Sequence, residues 1–353
     1  MCREVDCLVT GATGFLGRAV TAGLLKSGAS IRCLVRESSS PLAFPTLCDL
    51  SGRPPRTQIF QGNLLSPTHV ARAVDGARVV YHLAAEMRGL SATIFSGTVV
   101  GSRNLLQAIL RARPQRVVLI SSLSVYGLAN VHPKNLVTED SALDEHPEKR
   151  DVYTHAKLWQ ERLFQEYLTG SGIELAIVRP GYIYGPANKH LPPRLGLTLG
   201  GILLKASPGK YLPITYIDNC ADAVIFCGTN KQAAGEAYNV VDEDPPTGGE
   251  YLERYRRIAR RPRAVRFPFM VFSVLSYLNQ LGNRLSAGQI PVVLTRYKAA
   301  CAWRGHQFSS QKLKCLGWRQ PISTEEALAL TFPVPVSPTA SEQPVSMPLR
   351  NTA

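Results

Sequence analysis

The chain of 353 residues lacks the usual marks of a metal protein, a disulfide scaffold or a membrane-spanning protein. Its eight cysteines (Cys2, Cys7, Cys33, Cys48, Cys220, Cys227, Cys301, Cys315) are scattered. No C-x-x-C pair occurs, and no Cys/His cluster has zinc spacing, so no metal site is expected. The thiols read as the reduced cysteines of a cytoplasmic protein. No run approaches the ~20 apolar residues that cross a bilayer. The best candidate, Phe267 to Leu281, is broken by Ser, Asn and Gln. It reads as a core helix, with peripheral membrane contact as the other reading. No secretory leader is read, because Arg3, Glu4 and Asp6 stand just before the first apolar run. Acidic residues are in deficit, and the net charge is +14. The basic residues read as spread along the chain. Their densest run, Arg254 to Arg266, holds seven arginines but no aromatic beyond Tyr255. That reads as a solvated helix face and argues against nucleic acid as a partner.

What is present is a large apolar fraction, 45%, enough for a sizeable core. Short apolar runs alternate with helical patterns. Cys7 to Thr10, Ser30 to Val35, Gln58 to Gln61, Arg78 to Leu83, Val117 to Ser121 and Leu175 to Val178 read as strands. Helices fit over Ala19 to Lys26 and over about 98–112 and 153–170. Such alternation predicts an α/β fold with a doubly wound parallel sheet and ligands at the carboxyl ends of the strands. Beyond Arg179 the pattern turns irregular, as a substrate lobe would. Pro333 to Ala353 is rich in Pro and Ser, without periodicity, and reads as a disordered tail.

The first strand runs into Gly11-Ala-Thr13-Gly14-Phe15-Leu16-Gly17, which opens a helix. Glycines there let a pyrophosphate approach the turn and meet the helix N-terminal N–H groups. NAD-specific sites of this kind place an acid at the end of the second strand, to hold the ribose 2′-hydroxyl. Val35 stands there instead, followed by Arg36, a residue suited to a 2′-phosphate. Arg18 could help. NADP(H) is therefore the preferred cofactor and NAD(H) the alternative. Asn63 and Leu64 are expected to flank the adenine, and Ala84 and Ala85 to pass beneath the cofactor ribose. His82 reads as a packed strand-end histidine.

Tyr153 and Lys157 lie four apart, which on a helix puts both on one face. A free tyrosine, with a pKa of about 10, is a poor base near neutrality. A neighbouring ammonium favours its phenolate. Tyr153 could then exchange a proton with a substrate hydroxyl or ketone. Ser122, just past the fifth strand, is the chosen hydroxyl to bond the reacting oxygen, with Ser124 as the alternative. Either could instead be a strand-end cap.

These segments resemble an extended short-chain dehydrogenase/reductase of the NAD-dependent epimerase/dehydratase and 3β-hydroxysteroid dehydrogenase superfamily. The resemblance rests on Gly11 to Gly17, His82 to Ala85, Ser121 to Gly127, Tyr153 to Lys157, Arg179 to Pro186, Tyr216 to Ala223 and Ala237 to Val240. It implies a Rossmann-type sheet with a smaller C-terminal substrate lobe. The expected division is 1–180 for the dinucleotide, 181–330 mainly for substrate with segments returning to the core, and 333–353 as tail. It implies a triad of Ser122, Tyr153 and Lys157, cofactor contact by Pro180, and a homodimer through the helices at about 98–112 and 153–170. Thr98 stands where the family usually has Asn, which removes one member of its proton relay. An Asp-Glu pair typical of the dehydratases is replaced by Leu123-Ser124, and the Asn of many epimerases is missing between Arg179 and Pro186. The expected activity is an NAD(P)-dependent exchange of hydroxyl and ketone on a small apolar cyclic molecule, steroid-, sterol- or isoprenoid-like. A nucleotide-sugar epimerase is the alternative, and a cofactor-binding scaffold a third reading.

Overall fold

A computed structural model describes residues 5–37, 57–87, 89–199 (except 130, 133 and 189), 202–205, 209–258, 263–266, 269–286 and 305–333, with positions 295, 297, 300 and 301. Cys2, Cys48 and the predicted tail beyond Pro333 lie outside the described residues.

Seven strands form the main sheet: β1 (Val5–Thr10), β2 (Ile31–Val35), β3 (Thr57–Gln61), β4 (Ala77–His82), β5 (Arg116–Ile120), β6 (Glu174–Pro180) and β7 (Ala237–Val240). Their order is β7-β6-β5-β4-β1-β2-β3, all parallel. Parallel strands need helical crossovers, which cover both faces and so demand apolar residues on both. The central strands meet that demand: every residue of β2 and β5 is buried. Alternation then sorts the residues into two layers. Cys7 and Val9 pack with Val20 and Leu24 of α1 (Phe15–Lys26) and Val224 of α6 (Ile217–Thr229). Leu8 and Val80 pack on the opposite side, against Val70 of α2 (Pro67–Val74), Leu105 and Ile109 of α4 (Gly101–Ala112) and Phe164 of α5 (Val152–Leu168). Because β1 has β2 on one side and β4 on the other, the winding reverses there. A crevice opens beyond the carboxyl ends of these strands.

Three sequence expectations shift. The helix read over 98–112 begins earlier, at α3 (Ser91–Phe95), and passes through a wide π-helical turn at Ser96–Val100 before α4. The arginine run is not one helix face: it is shared between α7 (Gly248–Ile258) and a strand at Arg263–Arg266. That strand pairs in parallel with Ile202–Lys205, which pairs antiparallel with Gly196–Leu199. The apolar segment at Phe267 to Leu281 does form a helix, α8 (Phe269–Leu285), but not a core one. Met270, Tyr277 and Leu285 are 76%, 59% and 80% exposed. Polar positions on its inner arc take the place that a core helix gives to leucines.

Candidate active site

The crevice is a cavity of about 1370 Å³. Every residue singled out above for the triad or the dinucleotide lines it: Gly11, Thr13, Gly14, Phe15, Leu16, Gly17, Arg36, Asn63, Leu64, Ala84, Ala85, Ser122, Tyr153, Lys157 and Pro180.

At one end the glycine turn makes an anion cradle. Gly11 has φ +73°, and a Cβ there would stand 2.8 Å from the Ala84 nitrogen. A Cβ on Gly17 would overlap the Gly11 carbonyl oxygen, so only glycine lets α1 start this close to the turn. The first turn of α1 has no side-chain cap and no acid. Its free N–H groups and the positive end of the helix dipole suit a pyrophosphate. Asn63 Oδ1 accepts from the Leu65 amide at 2.9 Å, and the Leu64 carbonyl accepts from Asn104 Nδ2 at 2.9 Å, which fixes this rim. Arg36 pairs with Glu86 at 3.1 Å across the mouth. The chain's own residues therefore fit a dinucleotide.

At the other end α5 carries the acid–base groups. Asp151 caps it, accepting from the Thr154 amide at 3.0 Å. Burial pushes the half-buried Tyr153 phenol up to about 12; the Ser122 hydroxyl pulls it down and Asp151 pushes it further up. Lys157 is fully buried, and its amine donates to the Ile120 carbonyl at 2.6 Å and to Gln160 Oε1 at 2.8 Å. Burial lowers its pKa to about 7, against an upward pull from Glu161. The expected help from the ammonium to the phenolate is thus not what this arrangement displays, because the amine is engaged by two oxygens of the protein. Gln160 continues the chain of bonds. Its Nε2 donates to Ser102 Oγ at 2.7 Å, and Ser102 and His82 Nε2 are 3.0 Å apart. His82 Nδ1 lies 2.7 Å from Thr10 Oγ1, its ring stacks on Phe164, and burial takes its pKa down to about 3. It is the packed strand-end histidine that the sequence led us to expect.

Ser122 caps a short 3₁₀ turn, accepting from the Ser124 amide at 3.1 Å. Ser121 Oγ and Ser124 Oγ are buried without a hydrogen-bond partner, both lining the cavity. Behind them Arg179 grips Glu161 with two bonds, at 3.0 and 2.8 Å, and donates to the Tyr126 hydroxyl at 2.9 Å. This buried pair locks α5 to β6. Thr98 sits buried in the π-helical turn and accepts from the Glu86 amide at 3.1 Å. Sequence reasoning missed three residues here. Gln160 had a signal, since i and i+3 share a helix face. Glu86 had none. Arg194 also had none: it lines the cavity, stands over the Phe308 ring, and leaves Nη1 buried without a partner. Burial and the nearby Arg150 charge lower its pKa to about 10.

Residues 7–240 match the model of the NAD dependent epimerase/dehydratase family. The chain belongs to that family. Membership bears out the resemblance and brings dependence on a nicotinamide dinucleotide. Among its relatives is a 2-alkyl-3-oxoalkanoate reductase of Shewanella oneidensis, 25% identical, covering 91% of this chain and 84% of that protein. Another is 3beta-hydroxysteroid-dehydrogenase/decarboxylase isoform 1 of Arabidopsis thaliana, also 25% identical, with 92% of this chain and 78% of the relative covered. The UDP-glucose 4-epimerase of Thermus thermophilus, solved with NAD, shares the fold at a TM-score of 0.64, with 20% identity and coverage of 93% and 97%.

Proposed function

We propose that this family member is an oxidoreductase that interconverts a hydroxyl and a ketone on a small, apolar, cyclic molecule of steroid, sterol or isoprenoid type. The observation that carries the reading is the convergence of Ser122, Tyr153 and Lys157 on the wall of the same cavity as the glycine cradle. The bound nicotinamide supplies the site that accepts or gives the hydride. Tyr153 moves the proton at the substrate oxygen, and the Ser122 hydroxyl orients that oxygen. Lys157, held by the Ile120 carbonyl and Gln160, would hold the cofactor ribose. With a pKa of about 7 it titrates where it can pass a proton on. In this reading residues 1–180 hold the dinucleotide and 181–330 mainly the substrate. Arg36 would hold a 2′-phosphate in exchange for Glu86, which supports NADP(H) as the preferred cofactor.

A second feature narrows the substrate. An unpaired guanidinium is costly in a buried site unless a ligand supplies the opposite charge. Arg194 therefore favours a substrate that carries an anionic group such as a carboxylate. The name of the Shewanella relative, an oxoalkanoate reductase, describes such an acid. Two copies are proposed to pair through α4 and α5, where Trp159 and Tyr167 of α5 are exposed. A cytoplasmic setting is part of the same proposal, supported by the six described cysteines, all free.

The test is absorbance of the reduced cofactor with NADP⁺ or NAD⁺ and panels of hydroxysteroids, other cyclic alcohols, hydroxy acids and nucleotide sugars. Reduction by one alcohol class, falling ~10²- to 10⁴-fold in Tyr153→Phe with cofactor binding unchanged, is the expected result. Epimerised nucleotide sugar with no net reduction would replace this reading with the epimerase.

A further inference from the structure

The chain's charge is not spread as it first reads. Residues 254–324 contain fourteen Lys and Arg and no Asp or Glu. The other 26 basic residues equal the 26 acidic ones, so the whole net charge of +14 sits in this stretch. In its middle lies α8. Met270, Val274, Tyr277, Leu278, Leu281 and Leu285 are exposed and recur at helical spacing, so they form one stripe. Val271 and Leu275 are exposed along its edge. On the inward arc Ser276 is buried, and Ser273, Asn279, Gln280 and Asn283 are half-buried. Globular surface helices turn their apolar stripe to the core, and an apolar patch facing out marks an interaction surface.

Two occupants compete for this stripe. Three of these cations are paired with acids from elsewhere, Arg254 with Glu325, Lys312 with Glu236 and Lys314 with Glu243, but a second copy across a two-fold axis would still bring the same Lys- and Arg-rich segment against itself. Exposed Arg257 and Arg284 would then meet more positive charge. An anionic bilayer offers an apolar layer and opposite charge together. Among the described residues no helix is long and apolar enough to cross a membrane. At 17 residues α8 is about 25 Å long and suits lying flat in the interface.

We propose that α8 docks this protein on an anionic membrane surface, its Met270–Leu285 stripe in the acyl boundary and the flanking arginines on the lipid phosphates. Val265 and Ile202, on the paired strands that precede α8 in the chain, are exposed as well. Those strands join Gly196–Leu199, whose first residue lines the cavity. Docking of this kind is independent of the reaction in the cavity.

The test is co-sedimentation of the full chain with vesicles of phosphatidylcholine, with and without about one-third phosphatidylserine. The protein is expected to pellet with the anionic vesicles and to be released by high salt. Leu278→Glu with Leu281→Glu, at exposed positions, abolishes pelleting while circular dichroism and cofactor binding stay unchanged. Arg257→Gln and Arg284→Gln each weaken partition about fivefold. Wild-type protein left in the supernatant with anionic vesicles would overturn the proposal, as would leucine variants that pellet like wild type. A halved mass for the leucine variant in sedimentation without vesicles would assign the face to a second copy instead.

Discussion

Replacing Lys157 by methionine keeps the apolar stem and removes a buried amine, so its consequence for stability can be worked out in advance. In the native protein burial takes the amine from 10.5 to about 7. In the unfolded chain it returns to about 10.4. Between those values the unfolded state holds a proton that the native state does not. Wild-type stability therefore rises with pH there, by about 1.4 kcal/mol per unit, and the slope vanishes below about 7, where both states are protonated. Over the whole interval the penalty on the charged native state is about 5 kcal/mol. The variant escapes it but leaves the Ile120 carbonyl and Gln160 Oε1 without their donor, at about 1–3 kcal/mol each. Near pH 7 the two effects roughly cancel, so Lys157→Met is expected to be about as stable as wild type while losing turnover. The decisive quantity is the difference between the two stability curves, measured by urea unfolding in steps from about pH 7.5 to 9.5. Groups common to both proteins drop out of it. Wild type should gain about 2.7 kcal/mol on the variant across that range. Parallel curves would mean that the native amine is charged throughout, and the reasoning about its burial would be refuted.

Arg36→Ala should weaken NADP⁺ binding about tenfold and leave NAD⁺ binding unchanged, read by quenching of protein fluorescence; equal losses for both would remove Arg36 from the 2′-phosphate. Arg194→Met should raise the KM of a hydroxy-acid substrate about tenfold or more and have little effect on its methyl ester, whereas an equal effect on both would leave no role for an anionic group.

Much of the fold was legible because parallel strands buried on both faces leave near-continuous apolar runs, and β1, β2 and β5 carry them as Cys7 to Val9, Cys33 to Val35 and Val117 to Ile120. The glycine turn was legible because its constraints are local: Gly11 needs a positive φ, and Gly17 needs room against the turn. The spacing of Tyr153 and Lys157 gave their shared face. What Lys157 actually touches was not legible, since Ile120 and Gln160 meet it only after β5 and α5 are packed. Arg194 gave no signal because its lack of a partner is a property of the closed cavity, not of its neighbours in sequence. The outward stripe of α8 misled for a related reason. An apolar helical period names a face but not what covers it, and only the half-buried polar residues of the inner arc decide which side meets the protein.

The outermost strand beside β6 carries a consequence for how the molecule is made. β7 comes about 60 residues after β6 in the chain, yet it pairs with Ile177 to Pro180 at the sheet's edge. Translation at about 5–20 residues per second delivers it some 3–12 s after its neighbour. Through that interval the growing polypeptide holds β6 with one row of backbone groups unpaired, the kind of border that recruits foreign strands. Cutting the gene after the codon for Pro180 would make that transient state permanent. The dinucleotide half expressed alone should therefore aggregate.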